Sequence, residues 1–175
     1  MSYAKKMGKT IKLLGTSRQL GEDTYSAMVA PFLIAPENPL YHVNDVFNGV
    51  FVHGNMVDDL MFYGRGAGKF PTASAVVSDV MECARNIGRN IGCNWSGEIL
   101  SIADPKEESY RYFVRVGKEE EREAGELLHA DFMVHYEGAP ADERAFVTAV
   151  MTEREYEEAV KSLSSVKQCI RLLQD

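Results

Sequence analysis

The string Gly64-Arg65-Gly66-Ala67-Gly68-Lys69 puts three glycines into five positions, directly between an apolar run at residues 56–63 and a stretch with helical spacing. Glycine accepts positive φ without steric cost, so such a string permits a tight strand-to-helix connection. The helix that follows is the clearest in the chain. Pro71 suits a first-turn position, and Ala73, Val76, Val77, Val80, Met81, Ala84 and Ile87 recur at helical spacing. Gly88 and Gly92 are stop signals, so a helix is expected over residues 71–88. At the junction the loop amides and the helix dipole favour an anion such as a phosphate. A bare connection with no ligand satisfies the spacing equally well. A Walker A loop is excluded, because the spacing before Lys69 is short and Phe70 stands where Ser or Thr would bind magnesium. The order G-x-G-x-G also departs from the G-x-G-x-x-G of dinucleotide-binding folds.

Upstream, residues 9–19 carry Ile11, Leu13 and Leu14, Gly21-Glu22-Asp23 interrupts them, and residues 24–34 resume as an apolar run. That pattern predicts a hairpin. Pro31, Pro36 and Pro39 are expected to break its end, since proline has no amide for the ladder. Residues 46–53 and 56–63 flank Gly54-Asn55, a two-residue connection that suits a type II′ turn and predicts a second hairpin.

Downstream, the polar stretch at residues 96–109 contains Asp104-Pro105-Lys106-Glu107-Glu108 and marks a module boundary near residue 105. Tyr110, Tyr112, Val114 and Val116 then alternate with Arg111 and Arg115, as in a strand with one buried face. An acidic helix is expected at 118–129, and strands at 131–137 and 145–151 around Gly138-Ala139-Pro140. Thr152-Glu153-Arg154-Glu155 is a capping box ahead of Tyr156, Ala159, Val160 and Leu163. A last strand closes at 169–173, which completes the βαββαβ order of a ferredoxin-like unit. The expected fold is therefore α+β: a mainly antiparallel sheet with a covering helix over residues 1–104, then a ferredoxin-like module over 105–175.

At 175 residues the chain is long enough to bury a core, and its net charge of −7 argues against a nucleic-acid partner. The basic start lacks an apolar signal region, and no stretch reaches the ~18 apolar residues of a membrane span, so a cytoplasmic protein without membrane contact is expected. Cys83, Cys93 and Cys169 show no CxxC spacing, and His42, His53, His129 and His135 form no metal-binding motif, so no metal site is assigned. Arg65 and Lys69 are read as solvated loop cations. Glu22-Asp23 and Asp58-Asp59 are read as solvated carboxylates rather than a cation site.

The longer string Tyr63-Gly64-Arg65-Gly66-Ala67-Gly68-Lys69-Phe70-Pro71-Thr72-Ala73-Ser74-Ala75-Val76-Val77-Ser78-Asp79 closely resembles the end of the catalytic domain of homoserine dehydrogenase. The likeness extends back through Gly8-Lys9-Thr10-Ile11-Lys12-Leu13-Leu14-Gly15, Val29-Ala30-Pro31, Asn38-Pro39-Leu40 and Phe47-Asn48-Gly49-Val50. The second half is similar to an ACT module in topology and position. The resemblance implies an enzyme that interconverts homoserine and aspartate semialdehyde with NAD or NADP, on the route to threonine and methionine. It implies that the loop lies beside the nicotinamide, with Gly66, Gly68 and Thr72 as cofactor contacts and no catalytic residue in this chain.

In that family a Rossmann domain and a segment with substrate-binding acids and a lysine come first. Neither is in this sequence, which therefore resembles the C-terminal part of the enzyme. Hydride transfer needs its groups at near-attack distance, so the chain alone is expected to be inactive. Glu119 and Glu120 follow Gly117 where an amino-acid ligand would place its carboxylate, and like charge would repel it. The module is accordingly expected to serve homodimerisation rather than threonine sensing. The alternative is a separate ACT-type regulatory or dimerisation subunit without catalysis.

Overall fold

The structure is a computed structural model that describes residues 1–89 and 92–173. In chain order the first elements are α1 (Ser2–Lys6), β1 (Thr10–Gln19), β2 (Thr24–Ile34), β3 (Phe47–Gly54), β4 (Asp58–Arg65) and α2 (Lys69–Arg85). They are followed by β5 (Ser101–Ile102), β6 (Ser109–Gly117), α3 (Glu121–Leu127), β7 (Ala130–Met133), β8 (Glu143–Thr148), β9 (Met151–Thr152), α4 (Glu153–Val160) and β10 (Gln168–Leu172). The contacts divide the chain into one unit of Met1–Asn38 with Leu100–Asp175, and another of Pro39–Ile99. This cut differs from the expected 1–104 and 105–175, because strand pairing carries the first hairpin into the sheet of the second half.

The larger unit is α+β, built on one mainly antiparallel sheet of order β1-β2-β10-β6-β8-β7. β1 and β2 form the expected hairpin, in register from Thr10↔Ile34 to Gln19↔Tyr25. Pro31 does not break β2 but sits within it opposite Leu13. β10 joins β2 in parallel only at Phe32 and Leu33, so the missing amide of Pro31 costs that ladder nothing.

β6 is covered on both faces, where the alternation predicted burial on one. Tyr110, Tyr112, Val114 and Val116 face α3 and α4, and the ring of Tyr112 stacks on Tyr156 at 4.6 Å. Phe113, 3% exposed, points the other way into a cluster with Leu33, Val134, Ala145, Val147, Ile170 and Leu172, which Tyr3 and Ala4 of α1 complete. Each such large apolar side chain contributes about 1.5–3 kcal/mol by leaving water.

Local signals explain the helices of this unit. Thr152 accepts from the Glu155 amide while the Glu155 carboxylate accepts from the Thr152 amide, the reciprocal cap read from the sequence. Ala124 and Leu128, four residues apart, are both fully buried. Gly138 takes φ +87 in the turn between β7 and β8. Arg154 meets Asp104 and Glu107, and Lys106 meets Glu157, tying α4 to the segment before β6 through exposed pairs that each contribute little.

The smaller unit holds the β3–β4 hairpin and α2. The hairpin runs in register from Phe47↔Arg65 to Gly54↔Asp58. Its connection is Asn55-Met56-Val57, one residue longer than the expected Gly54-Asn55 turn. The left-handed position falls on Asp58, at φ 57, rather than on Gly54. A short polar side chain tolerates that conformation better than other non-glycine residues. α2 starts two residues before the expected position, and Gly88 takes φ +79 just beyond its end. The burial expected of a covering helix is not found: none of its residues is buried, and Val76, Val77, Val80 and Met81 are 49–62% exposed. Spacing creates an apolar stripe, but only tertiary contact buries it.

Candidate functional site

The glycine loop lies wholly in the smaller unit, and its geometry follows from the β3–β4 register. Asn48 of β3 pairs with Gly64 of β4, which brings its side chain against the next turn of chain. A Cβ built on Gly66 would fall 1.8 Å from Nδ2 of Asn48, so a side chain there would push the Asn48 amide out of its present position. Gly49 is tight for a similar reason, since a Cβ there would approach Leu40, Met61 and Val43 to about 3 Å.

Gly68 then turns the chain. At φ +123 and ψ 150 it occupies a region that L side chains rarely adopt, and it is the N-cap of α2. Having no side chain, it leaves the first helical amides uncapped. Pro71 falls in the first turn, where a missing amide costs nothing. No acidic residue stands in that first turn, so the positive end of the α2 dipole is uncompensated by the chain itself.

The three residues expected to touch a cofactor are gathered into this one turn. Gly66 and Gly68 lie on its exposed crest, and Thr72 is exposed on α2. The Thr72 amide already donates to the Gly68 carbonyl at 3.1 Å, so Thr72 offers its hydroxyl and not its amide. Gly66 and Gly68 thus have distinct roles, the first admitting Asn48 and the second reversing the chain.

The two loop cations rest on aromatic rings. Cζ of Arg65 lies 5.1 Å from the centroid of Phe47, which stacks on Tyr63 at 4.8 Å, and Nζ of Lys69 lies 5.9 Å from Phe70. Both remain exposed, so the crest carries uncapped amides flanked by two positive charges. Such a surface suits an anion such as a phosphate. Asn48 is the residue that sequence reasoning overlooked as a site residue. Its role becomes visible only when the strand register sets it opposite the glycines.

Among the described residues, the remaining polar candidates gather no further site in this unit. His53 Nδ1 lies 2.7 Å from Asp59 Oδ1, which raises the imidazole pKa through the hydrogen bond and the adjacent charge. Among the described residues no group of three or more His, Cys, Asp or Glu is arranged to hold a metal ion. Among them also, no helix is long and apolar enough to cross a membrane.

In the larger unit, the loop between β6 and α3 is already saturated. The Glu120 carboxylate accepts from the amides and hydroxyls of Ser164 and Ser165, which lowers its pKa to about 2. The Gly117 amide donates to Ser165 at 3.0 Å, and a Cβ on Gly117 would fall 2.2 Å from the Glu119 carboxylate. The Gly117 amide and the amides and hydroxyls of Ser164 and Ser165 are thus already engaged, beside the carboxylates of Glu119 and Glu120.

Comparison with known proteins gives a consistent family likeness. Residues 1–81 match the homoserine dehydrogenase family. Homoserine dehydrogenase of Synechocystis sp. is 51% identical over 84 residues, which are 46% of this chain and 19% of that protein. The Corynebacterium glutamicum homoserine dehydrogenase is 41% identical over 124 residues, 67% of this chain and 28% of that protein. A crystal structure of a homoserine dehydrogenase from Thiobacillus denitrificans superimposes with a TM-score of 0.79 at 26% identity, covering 99% of this chain and 44% of that one. The likeness read from the glycine string is thereby borne out. The chain spans less than half the length of the relatives it matches.

Proposed function

We propose that this chain, which matches the homoserine dehydrogenase family over residues 1–81, is the C-terminal part of such an enzyme and supplies one edge of its dinucleotide site. The whole enzyme would interconvert homoserine and aspartate semialdehyde in threonine and methionine biosynthesis. NAD or NADP, when bound, would accept the hydride in the oxidation of homoserine and give it back in the reverse direction. This chain's contribution is to orient: Gly66 and Gly68 keep the loop crest free of side chains, Thr72 presents a hydroxyl, and the start of α2 presents uncapped amides. The single observation that carries this reading is Gly68, which at φ +123 turns the chain into α2 without a side chain and leaves the first helical amides uncapped on an exposed crest. A group that must lie flat against main chain needs such a surface.

Proton transfer and substrate binding require groups outside this stretch, so purified chain is expected to give no turnover of homoserine with either cofactor. Turnover would overturn that part of the reading. The cofactor assignment is tested by titrating the isotopically labelled chain with NADP and following amide shifts by NMR. Perturbations concentrated at Gly66, Gly68 and Thr72 support it; shifts elsewhere, or none at millimolar cofactor, refute it.

A second reading concerns the larger unit. The strand order β10-β6-β8-β7, antiparallel throughout and with α3 and α4 on one face, is that of a ferredoxin-like module and supports an ACT-type assignment. The saturated loop at Gly117 and Glu120 favours a dimerisation role over amino-acid sensing. Calorimetry with threonine is expected to give no saturable heat, and sedimentation to give a homodimer. If so, the alternative of a separate ACT-type subunit is distinguished from the enzyme reading by whether NADP perturbs the glycine loop.

A further inference from the structure

The connection from β6 to α3 and the connection from α4 to β10 meet at one end of the sheet, and a carboxylate sits between them. Oε1 of Glu120 accepts from the Ser164 amide at 2.9 Å and from the Ser164 hydroxyl at 2.5 Å. Oε2 accepts from the Ser165 amide at 2.9 Å and from the Ser165 hydroxyl at 2.6 Å. Each oxygen thus takes one amide and one hydroxyl, a donor set that suits a small carboxylate. All four donors are neutral, and their hydrogen bonds alone hold the Glu120 carboxyl down at about 2.

The fold sets these donors independently of the Glu120 side chain. The Gly117 amide donates to both the carbonyl and the hydroxyl oxygen of Ser165, at 3.1 and 3.0 Å, and the Lys167 amide donates to the Arg115 carbonyl at 2.8 Å. Backbone bonds to β6 therefore fix the segment on both sides of Val166. Because the Ser165 hydroxyl accepts from Gly117, its own proton is left for a carboxylate oxygen. Ser164 is exposed and Ser165 half-buried, so solvent reaches the donors. Glu120 stands at the N-cap of α3 yet makes no cap hydrogen bond; its carboxylate is turned to the neighbouring connection instead.

We infer that Ser164 and Ser165 form a receptor for a small carboxylate, and that Glu120 is its tethered occupant, closing it to carboxylates from solution. A tethered group acts at an effective concentration of about millimolar or above, which a free carboxylate must exceed to displace it. A receptor filled by the chain itself is one that does not respond to an added amino acid. The inference concerns the larger unit only and is independent of the cofactor reading. Its readout is local, so it is also separable from dimerisation.

Acetate rescue tests it on the whole chain, with amide shifts followed by NMR and chloride at equal ionic strength as the control. In Glu120→Ala the Ser164 and Ser165 amides should shift saturably with millimolar acetate, while the wild-type amides stay fixed. Glu120→Gln keeps the length of the side chain and should bind acetate more weakly than Glu120→Ala, because its carboxamide oxygen still takes part of the donor set. Adding Ser164→Ala and Ser165→Ala to Glu120→Ala removes both hydroxyl donors and should weaken acetate at least about tenfold. No saturable shift in either Glu120 variant overturns the inference, because the serines are then no receptor in the absence of Glu120. Equal shifts with chloride overturn it too, because the serines then attract any anion. A wild-type response equal to that of Glu120→Ala does the same, because Glu120 is then not the occupant.

Discussion

Glu143→Gln removes one charge from the most buried ion pair in the larger unit and keeps the side chain's shape. The Glu143 side chain is 3% exposed, and its carboxylate accepts from Arg115 at 2.7 and 3.3 Å and from the Tyr3 hydroxyl at 3.0 Å, with Lys167 at 3.7 Å. Breaking one partner of a buried pair costs about 3–5 kcal/mol. Arg115 is 27% exposed and also donates to Gln168 at 3.0 Å, so solvent and that bond reduce the loss to about 2 kcal/mol. For a chain of this size that lowers the melting midpoint by about 4–8 °C. The pH dependence follows from the same pair. The Arg115 guanidinium first, with help from Tyr3, holds the Glu143 pKa below its usual 4.5. Its contribution is therefore full above the unfolded value and is lost as pH falls through the folded one. Thermal unfolding of both proteins at neutral pH and at about pH 3 should show the gap narrowing in acid. A gap below about 0.5 kcal/mol at neutral pH, or one that does not change in acid, refutes the reasoning.

Gly66→Ala should force Asn48 aside and, in the full-length enzyme, raise the KM for the dinucleotide more than it lowers kcat. Adding Asn48→Ala should recover part of the loss, and an unchanged KM in Gly66→Ala would count against a cofactor edge here. Thr152→Ala removes the reciprocal cap of α4 and should cost about 1 kcal/mol, read as a shift of the urea midpoint at constant slope. Burial pushes the Cys169 thiol up to about 11, whereas Cys83 and Cys93 are exposed. Peptide mapping after iodoacetamide at neutral pH should find Cys83 and Cys93 alkylated first and Cys169 only on unfolding.

Interactions that close within a few residues were legible before any coordinates. The Thr152–Glu155 cap, the β1–β2 hairpin around Gly21-Glu22-Asp23 and the helical spacing after Gly68 all depend on neighbours in the chain, so residue type and spacing sufficed to place them. The glycine string could be recognised as a loop for the same reason, although its partner Asn48 could not. That contact depends on the register of β3 against β4, which is set by the whole hairpin and its three-residue connection.

Long-range assembly was decided elsewhere. Alternation in β6 identified one apolar face, but Phe113 is buried as well because α1, more than a hundred residues earlier, covers the opposite side. Pro31 looked like a breaker, yet it is harmless where β10 joins β2 only from Phe32 onward. The stripe on α2 is apolar as its spacing predicts, but its side chains are exposed. Amino-acid order placed the long strands, the capped helix and the glycine loop but not α1 or β5, whose pairing and burial depend on distant partners; tertiary structure alone decided which faces meet, because burial is a sum over distant elements that no local window contains.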